Sequence, residues 1–283
     1  MVPLAIGTQT NGSVIRPASY CGVVGYKPSF GLISRYRVLR ASRSLDQVGV
    51  FARSIADAAL LAEQLMGFDR HDPDTRMRAR PDLVGFVART PPLPPRLALV
   101  RTPAWPQAEA ATQAAFEALA EYLGEAVSVV DLDDLLGAAV DWHRTVMEAE
   151  LARNYRREFE RGGAQLSPAL RAILERGRAI TAGDYLAALE QVPALVGGLE
   201  QLLLEYDAIL TPAASGEAPL GLESTGNPVF CTPWTLCGMP AISLPLLQGA
   251  AGLPLGAHLV AARDDDARLL RTANWLAAQV AQA

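Results

Sequence analysis

The most informative segment of the chain is residues 7–34, which read GTQTNGSVIRPASYCGVVGYKPSFGLIS. Its opening, residues 7–13, contains only glycine and polar side chains, and is too small and too polar to form a core. Such residues let the backbone turn sharply and let a ligand approach its N–H groups. From these residues alone two interpretations stay open: an ordinary structural turn, or a site built from main-chain donors.

In the second interpretation, the turn forms an oxyanion hole. Its predicted donors are the backbone N–H groups of four consecutive residues, Thr10, Asn11, Gly12 and Ser13. Donors that converge on a developing negative charge typically lower an acyl-transfer barrier by a few kcal/mol each. Ser13, at the end of the turn, is then the predicted nucleophile.

A serine nucleophile needs a base, and the sequence offers no motif around any of its three histidines, His71, His143 and His258. A Ser-His-Asp triad therefore stays an alternative that the sequence cannot place. A phosphate-binding loop is disfavoured, because the GxxxxGK[ST] pattern that starts at Gly7 has Ser13 where it requires a lysine.

Composition describes a globular chain that is poorly suited to bind nucleic acid by charge. Half of the 283 residues are apolar, 19% are charged, and the net charge is −5.

Three cysteines, Cys21, Cys231 and Cys237, lack the spacing of a disulfide framework or a metal site, so we predict no metal and no cofactor. No apolar run reaches the length of a membrane span, and we expect a cytoplasmic protein.

Apolar patterns predict short strands that alternate with helices. The predicted strands are 4–6, 22–25, 48–51, 96–101, 126–132, 208–212, 241–247 and 255–261. The predicted helices are one that follows a cap at Ser54, then 107–123, 134–161, 167–206 and 232–237, and one that follows Asp264. We expect Gly67 to end the first helix, and the polar residues 69–82 to form a solvated loop.

These elements predict an α/β fold, in which a mixed β-sheet is covered by helices on both sides. The strand–helix–strand pattern over residues 96–132 predicts a parallel crossover. We find no internal repeat and no linker, so we predict a single domain over residues 1–283. Within it, residues 134–206 form a mainly helical, variable region on the substrate side.

Residues 7–34 resemble the hallmark segment of the amidase signature family, GTDTGGSxRxPAxxCGVxGxKPTxGxxS. Four later stretches resemble the corresponding family segments in the same order. They are SLDQVGVFARSIADAALL (44–61), DAILTPAASGEAP (207–219), NPVFCTPWTLCGMPAISLP (227–245) and GLPLGAHLVAARDDDARLL (252–270). The likeness is weakest over residues 68–206, and it implies the amidase signature fold.

The resemblance implies hydrolysis of a carboxamide through an acyl-enzyme, with Ser13 as nucleophile and the N–H groups of residues 10–13 as oxyanion donors. The family's base is a lysine that acts through a second serine, which a cis peptide bond holds. We expect a small-molecule amide as substrate, no direct nucleic-acid contact, no membrane, and a possible homodimer.

This sequence departs from the family pattern at several points. The family's lysine and bridging serine precede the nucleophile, and neither occurs in residues 1–12. Lys27, the only lysine, matches the KP of the family's GxKPT, where a structural role is expected. The expectation is a chain that begins at an internal methionine, lacks the N-terminal part of the family domain and has little activity. In the turn itself, Gln9 replaces the common Asp and Asn11 the common Gly, while Arg16 lies one position later than usual.

Two other functions remain open. The A subunit of a glutamine-dependent tRNA amidotransferase, which amidates mischarged tRNA, shares the same signature. A non-catalytic amidase fragment would keep the nucleophile but lack its base. The substrate and the oligomeric state are not readable, and Trp142, Tyr155 and Trp234 either line a pocket or pack in the core.

Overall fold

The computed structural model describes residues 1–282, which form an α/β fold around one eight-stranded mixed sheet. The strands are β1 (Leu4–Gln9), β2 (Val24–Lys27), β3 (Gln47–Ala52), β4 (Leu97–Arg101), β5 (Val127–Asp131), β6 (Ala208–Pro212), β7 (Ala241–Gln248) and β8 (Pro254–Val260). Their order across the sheet is β1-β3-β2-β7-β8-β6-β4-β5. The mixed sheet predicted from the sequence is confirmed.

Parallel and antiparallel pairs share this sheet. Strand β4 pairs in parallel with both β5 and β6, while β1, β2, β3, β7 and β8 pair antiparallel with their neighbours. The parallel pair β4–β5 needs a crossover, and the helix that lies between them along the chain provides it. This arrangement agrees with the crossover predicted from the strand–helix–strand pattern. In the strand order, β1 and β5 occupy the two edges of the sheet.

Eleven helices accompany the strands in the described residues. They are α1 (Ile15–Cys21), α2 (Ile55–Leu65), α3 (Leu83–Val87), α4 (Ala110–Leu123), α5 (Asp133–Leu136), α6 (Ala139–Asn154), α7 (Arg156–Gly162), α8 (Pro168–Ala179), α9 (Ala182–Leu202), α10 (Thr232–Leu236) and α11 (Asp266–Val280). None of them is long and apolar enough to cross a membrane.

Side chains of strands β4 to β8 alternate between two apolar clusters, one on either face of the sheet, whereas β1, β2 and β3 contribute to only one of them. On β4, Leu97 and Leu99 enter a cluster with residues of α2, α3, α4 and α11. Ala98 and Val100 of the same strand enter the other cluster, with residues of α1, α6, α9 and α10. Helices therefore cover both faces, as predicted, and the second face is the one that carries the candidate site.

The predicted start of α2 is correct, but its predicted end is not. The Ser54 hydroxyl accepts the Asp57 N–H at 3.1 Å and so caps the helix. We expected Gly67 to close the helix in a left-handed conformation, yet Met66 ends it with extended backbone. Gly67 has no positive φ and instead donates its N–H to the Leu32 carbonyl at 3.1 Å.

The loop predicted as solvated, residues 69–82, is partly buried. Asp72 accepts the Arg35 backbone N–H at 2.7 Å and the Arg35 Nε–H at 3.3 Å, and both side chains are buried. The Arg35 guanidinium also pairs with Asp74. Charge composition alone did not distinguish a solvated loop from one that folds over a buried arginine.

Candidate active site

The predicted site lies where β1 ends and α1 begins. After Gln9 the backbone turns through residues 10–14 and enters α1 at Ile15. Within this turn Gly12 is buried, whereas Ser13 is exposed. The four predicted oxyanion residues, the last of which is also the predicted nucleophile, therefore lie in one tight turn at an edge of the sheet.

Gln9 holds the turn from inside. Its side-chain oxygen Oε1 accepts the N–H groups of Val14 at 2.8 Å and Ile15 at 3.0 Å, which are otherwise unpaired donors at the start of α1. Its Nε2 group donates to the Thr235 hydroxyl at 2.9 Å, and the side chain is 1% exposed. A glutamine can therefore accept from the helix and donate to α10 at once, which an ionised Asp or Glu cannot do.

The carbonyl groups of the turn point into the protein, where each has a donor. The Thr10 carbonyl accepts from Nε2 of His143 at 2.9 Å, and the Asn11 carbonyl accepts from the Thr235 hydroxyl. The Gly12 carbonyl accepts the Arg16 N–H at 2.9 Å. Because the C=O and N–H of a trans peptide point in opposite directions, the following N–H groups point away from these donors.

The N–H groups of the turn are consequently free. Within residues 1–282, none of the N–H groups of residues 10–13 donates a hydrogen bond to another protein atom. They are not consumed by the sheet, because the pairing of β1 with β3 ends at Gln9 and Gln47. Unpaired main-chain donors beside an exposed serine are what an oxyanion hole requires.

The side chains of the turn are braced by two neighbouring segments. The Thr10 hydroxyl donates to Asp46 Oδ1 at 2.6 Å, and the Thr232 hydroxyl donates to Asn11 Oδ1 at 2.7 Å. A Cβ at Gly12 would lie 2.9 Å from Cβ of Pro228, so only glycine fits this close approach. The turn is therefore held in one conformation by its packing.

Ser13 has no base beside it in the described part of the chain. No hydrogen bond joins its hydroxyl to another side chain among residues 1–282. The single lysine, Lys27, is fully buried, donates to Gln47 Oε1 at 2.7 Å and also donates to the Met239 carbonyl. Burial lowers the pKa of Lys27 to about 7. These contacts agree with the structural role expected for this lysine.

The three histidines do not form a triad with Ser13. His143 donates to the Thr10 carbonyl, and burial lowers its pKa to about 4. His258 is fully buried in β8, and burial lowers its pKa to about 3. His71 is exposed and stacks on Tyr36. Sequence reasoning considered His143 as a base, but its contact is with the main chain of the turn.

Other residues of the site were missed by the sequence analysis. Asp46, Thr232 and Thr235 contact the turn, and the last two lie one helical turn apart in the segment CTPWTLCG. Two hydroxyls at i and i+3 on one short helix are a signal that could have identified α10 as a support. Nothing in the sequence around Asp46 indicates its contact with Thr10.

The three aromatic residues with open roles separate in the structure. Trp234 is fully buried and donates its indole N–H to the Phe230 carbonyl at 2.8 Å, so it belongs to the core. Trp142 is partly buried against the same core. Tyr155 lines a cavity of about 270 Å³ together with Thr10 and Asp46, next to the turn.

The chain belongs to the amidase family, whose model matches residues 1–270. A curated relative, the A subunit of the glutamyl-tRNA(Gln) amidotransferase of Granulibacter bethesdensis, is 31% identical over 93% of this chain and 59% of its own. The crystal structure of the corresponding protein from Thermotoga maritima superposes with a TM-score of 0.77 at 30% identity, over 95% of this chain and 61% of that one. The native peptide amidase of Stenotrophomonas maltophilia superposes with a TM-score of 0.78 at 25% identity, over 99% and 63%. The chain spans about three fifths of the length of these relatives.

These relatives correct one prediction. We expected a small-molecule amide as substrate, no direct nucleic-acid contact, and a possible homodimer. The curated relatives are instead named as A subunits of a glutamyl-tRNA(Gln) amidotransferase, which means further subunits and a tRNA-linked substrate for those proteins. The partner prediction is therefore wrong. The physical reason is that the prediction was made from residues 7–34, whose pattern indicates a type of reaction and carries no information about partners.

Proposed function

We propose that this chain supplies the nucleophile and the oxyanion hole of an amide-cleaving acyl-transfer enzyme. The observation that carries the proposal is the turn itself, with inward-pointing carbonyls, free N–H groups at residues 10–13 and an exposed hydroxyl at Ser13. Membership of the amidase family supports the same chemistry.

In the proposed reaction, Ser13 Oγ attacks the carbonyl carbon of a carboxamide and loses its proton to a base. The carbonyl electron pair moves to oxygen, and the N–H groups of the turn stabilise that oxyanion. When the intermediate collapses, the C–N bond breaks, the nitrogen takes a proton, and an acyl-enzyme remains on Ser13. Water then hydrolyses the ester and restores the serine.

The base is the part of the proposal that lies outside the described contacts. Lys27 is occupied by Gln47 and Met239, and the His143 donor faces the main chain. We therefore assign proton transfer to the lysine and bridging serine that the family resemblance implies, which residues 1–282 do not place beside Ser13. Without such a base, a serine nucleophile loses several orders of magnitude in rate.

For the role of the whole protein, we propose the A subunit of a glutamine-dependent tRNA amidotransferase. Its curated relatives carry that name, and they match almost the whole of this chain. In this role Ser13 cleaves the carboxamide of glutamine to glutamate and ammonia. The ammonia would then displace the leaving group of a glutamyl-tRNA whose side-chain carboxyl has been activated by a phosphoryl donor, a step that we assign to a site outside this turn.

The test is Ser13→Ala in the gene product that contains these residues, produced together with its partner subunits. We expect glutamine-dependent ammonia release and tRNA amidation to fall by about three orders of magnitude or more. Ser128→Ala, at the opposite edge of the sheet on β5, is the matched control and keeps full activity.

Two results would contradict the proposal at different levels. Undiminished ammonia release by Ser13→Ala disproves the nucleophile. Ser13-dependent amide cleavage that neither glutamyl-tRNA nor the partner subunits stimulate disproves the amidotransferase role and leaves the amide chemistry in place. An unaltered protein without activity under any of these conditions supports the alternative of a non-catalytic fragment, since Ser13 has no base among the described residues.

A further inference from the structure

We infer that His143 is a positioning residue of the oxyanion hole, which orients the Asn11 N–H through its hydrogen bond to the Thr10 carbonyl. The inference rests on the proposed function of the turn. It assigns a role to the helical region 134–206, where the resemblance to the amidase signature is weakest and supplies no site residue.

The contact is well defined. His143 lies on α6, is 1% exposed, and brings Nε2 to 2.9 Å from the Thr10 carbonyl oxygen. A carbonyl can only accept, so the ring must carry its proton on Nε2. Burial lowers the pKa of His143 to about 4, which keeps the ring in this neutral form at physiological pH.

The effect on Asn11 follows from peptide geometry. The Thr10 carbonyl and the Asn11 N–H belong to one planar peptide group, so fixing the first fixes the direction of the second. The next two peptides of the turn have other anchors, the Thr235 hydroxyl and the Arg16 N–H. Within residues 1–282, His143 is the only donor to the Thr10 carbonyl.

The other contact of Thr10 does not replace this anchor. The Thr10 hydroxyl donates to Asp46 and holds the side chain, but rotation of the Thr10–Asn11 peptide plane leaves that bond intact. Loss of the His143 donor would also leave a carbonyl without its partner, and a rotated peptide could expose it to water. In that rotated state the Asn11 N–H no longer points toward the oxyanion.

A spectroscopic test uses the 283-residue chain and requires no activity. In ¹⁵N-labelled protein at pH 7, we expect a slowly exchanging imidazole proton on His143 Nε2. His143→Gln keeps an N–H donor of similar reach, while His143→Leu has similar bulk and none. The Asn11 amide signal should stay near its position in the Gln variant and move in the Leu variant. A matched control is Val146→Ala, which weakens the packing of the same helix and keeps the donor.

A kinetic test uses the active gene product with its partners. Loss of a whole oxyanion donor costs about 100- to 1,000-fold in kcat, so a misdirected donor in His143→Leu should cost about 10- to 100-fold with KM nearly unchanged. His143→Gln should recover most of that loss, and Val146→Ala should keep kcat within about threefold. A purely structural histidine would show no rescue by Gln.

The inference is overturned if His143→Leu leaves the Asn11 amide in place, or if its kcat falls no further than that of Val146→Ala. Either result leaves the proposed function standing when Ser13→Ala is inactive. Conversely, full activity of Ser13→Ala removes the proposed function, while the signals of His143 and Asn11 still report on the hydrogen bond. The two failures are therefore distinguishable.

Discussion

The turn of residues 9–14 and the helical region of residues 134–206 meet at one hydrogen bond, yet they are built in opposite ways. In the turn, Gln9 and Gly12 accept N–H groups a few residues away, so the local sequence determines part of its structure, although Gln9 also donates to Thr235. In the helical region, His143 acts on a carbonyl 133 positions earlier in the chain. Contacts between residues close in sequence could therefore be predicted from the sequence, whereas the long-range contact from His143 could not.

The largest loss of activity should come from a substitution in the turn itself, at Gly12. Gly12→Val places methyl groups where a Cβ alone already lies 2.9 Å from Pro228 and 3.2 Å from Cys231. The turn must move to relieve this overlap, and we expect at least a 100-fold loss of kcat, because several oxyanion donors move together. Gly67→Val, at a position with open space around it, is the control. Activity kept by Gly12→Val would show that the turn is not the site.

Unfolding at different pH values compares His143, which contacts the turn from α6, with His258, which lies in the sheet on β8. The folded-state pKa values of His143 and His258 are lowered to about 4 and about 3, below an unfolded value near 6.5. The stability that they contribute is complete above pH 6.5 and is lost as the pH falls toward these folded values. Because each histidine is protonated in the unfolded chain before it is protonated in the folded one, each should lower the free energy of unfolding by about 2 kcal/mol between neutral pH and pH 5.

The measurement is urea unfolding at pH 7.5 and at pH 5, for the unaltered chain and for His143→Gln and His258→Gln. Each variant should lose less stability on acidification than the unaltered chain, by about 2 kcal/mol. If His143→Gln loses as much stability on acidification as the unaltered chain, then His143 is not held neutral in the folded chain, and its contact with the turn is weaker than the structure indicates.

The smallest loss of activity should come from Gln9→Glu, which tests whether the donor group of Gln9 is needed. A carboxylate can still accept the N–H groups of Val14 and Ile15, but it cannot donate to Thr235. The Thr235 hydroxyl then has two acceptors to serve, the new carboxylate and the Asn11 carbonyl, and we expect about a tenfold loss of kcat.

The matched change for Gln9→Glu is Gln113→Glu, because Gln113 caps carbonyl groups near α4, far along the chain from the turn. Steady-state kinetics of both variants give the comparison. Equal activities would mean that the donor of Gln9 does not matter and that the anchor on Asn11 does not depend on it.

Much of the fold could be predicted from sequence patterns that act locally. The mixed sheet, the crossover between β4 and β5, the short helix before Gly238 and the cap at Ser54 all follow from spacing and turn chemistry. The stop at Gly67 was predicted wrongly, because Leu32 offers that glycine a tertiary partner. The buried pair of Arg35 and Asp72 was missed for the same reason.

For the candidate site, the resemblance to the amidase signature located Ser13 and the donors of the turn, which the structure gathers at one point. The supports from Asp46, His143 and Thr235 were not predicted, because each depends on which elements pack together in space. The partners were predicted wrongly, since no residue of the turn encodes them.

Chemical modification of Lys27 would report on opening of the sheet. It is the only side-chain primary amine in the sequence, and it lies fully enclosed in the sheet, held by Gln47 and Met239. An acylating reagent can reach this nitrogen only when the strands around it separate. Because its pKa is about 7, the nitrogen is largely unprotonated at pH 8 inside the fold, so shielding alone protects it. Mass addition at this position would therefore count opening events directly.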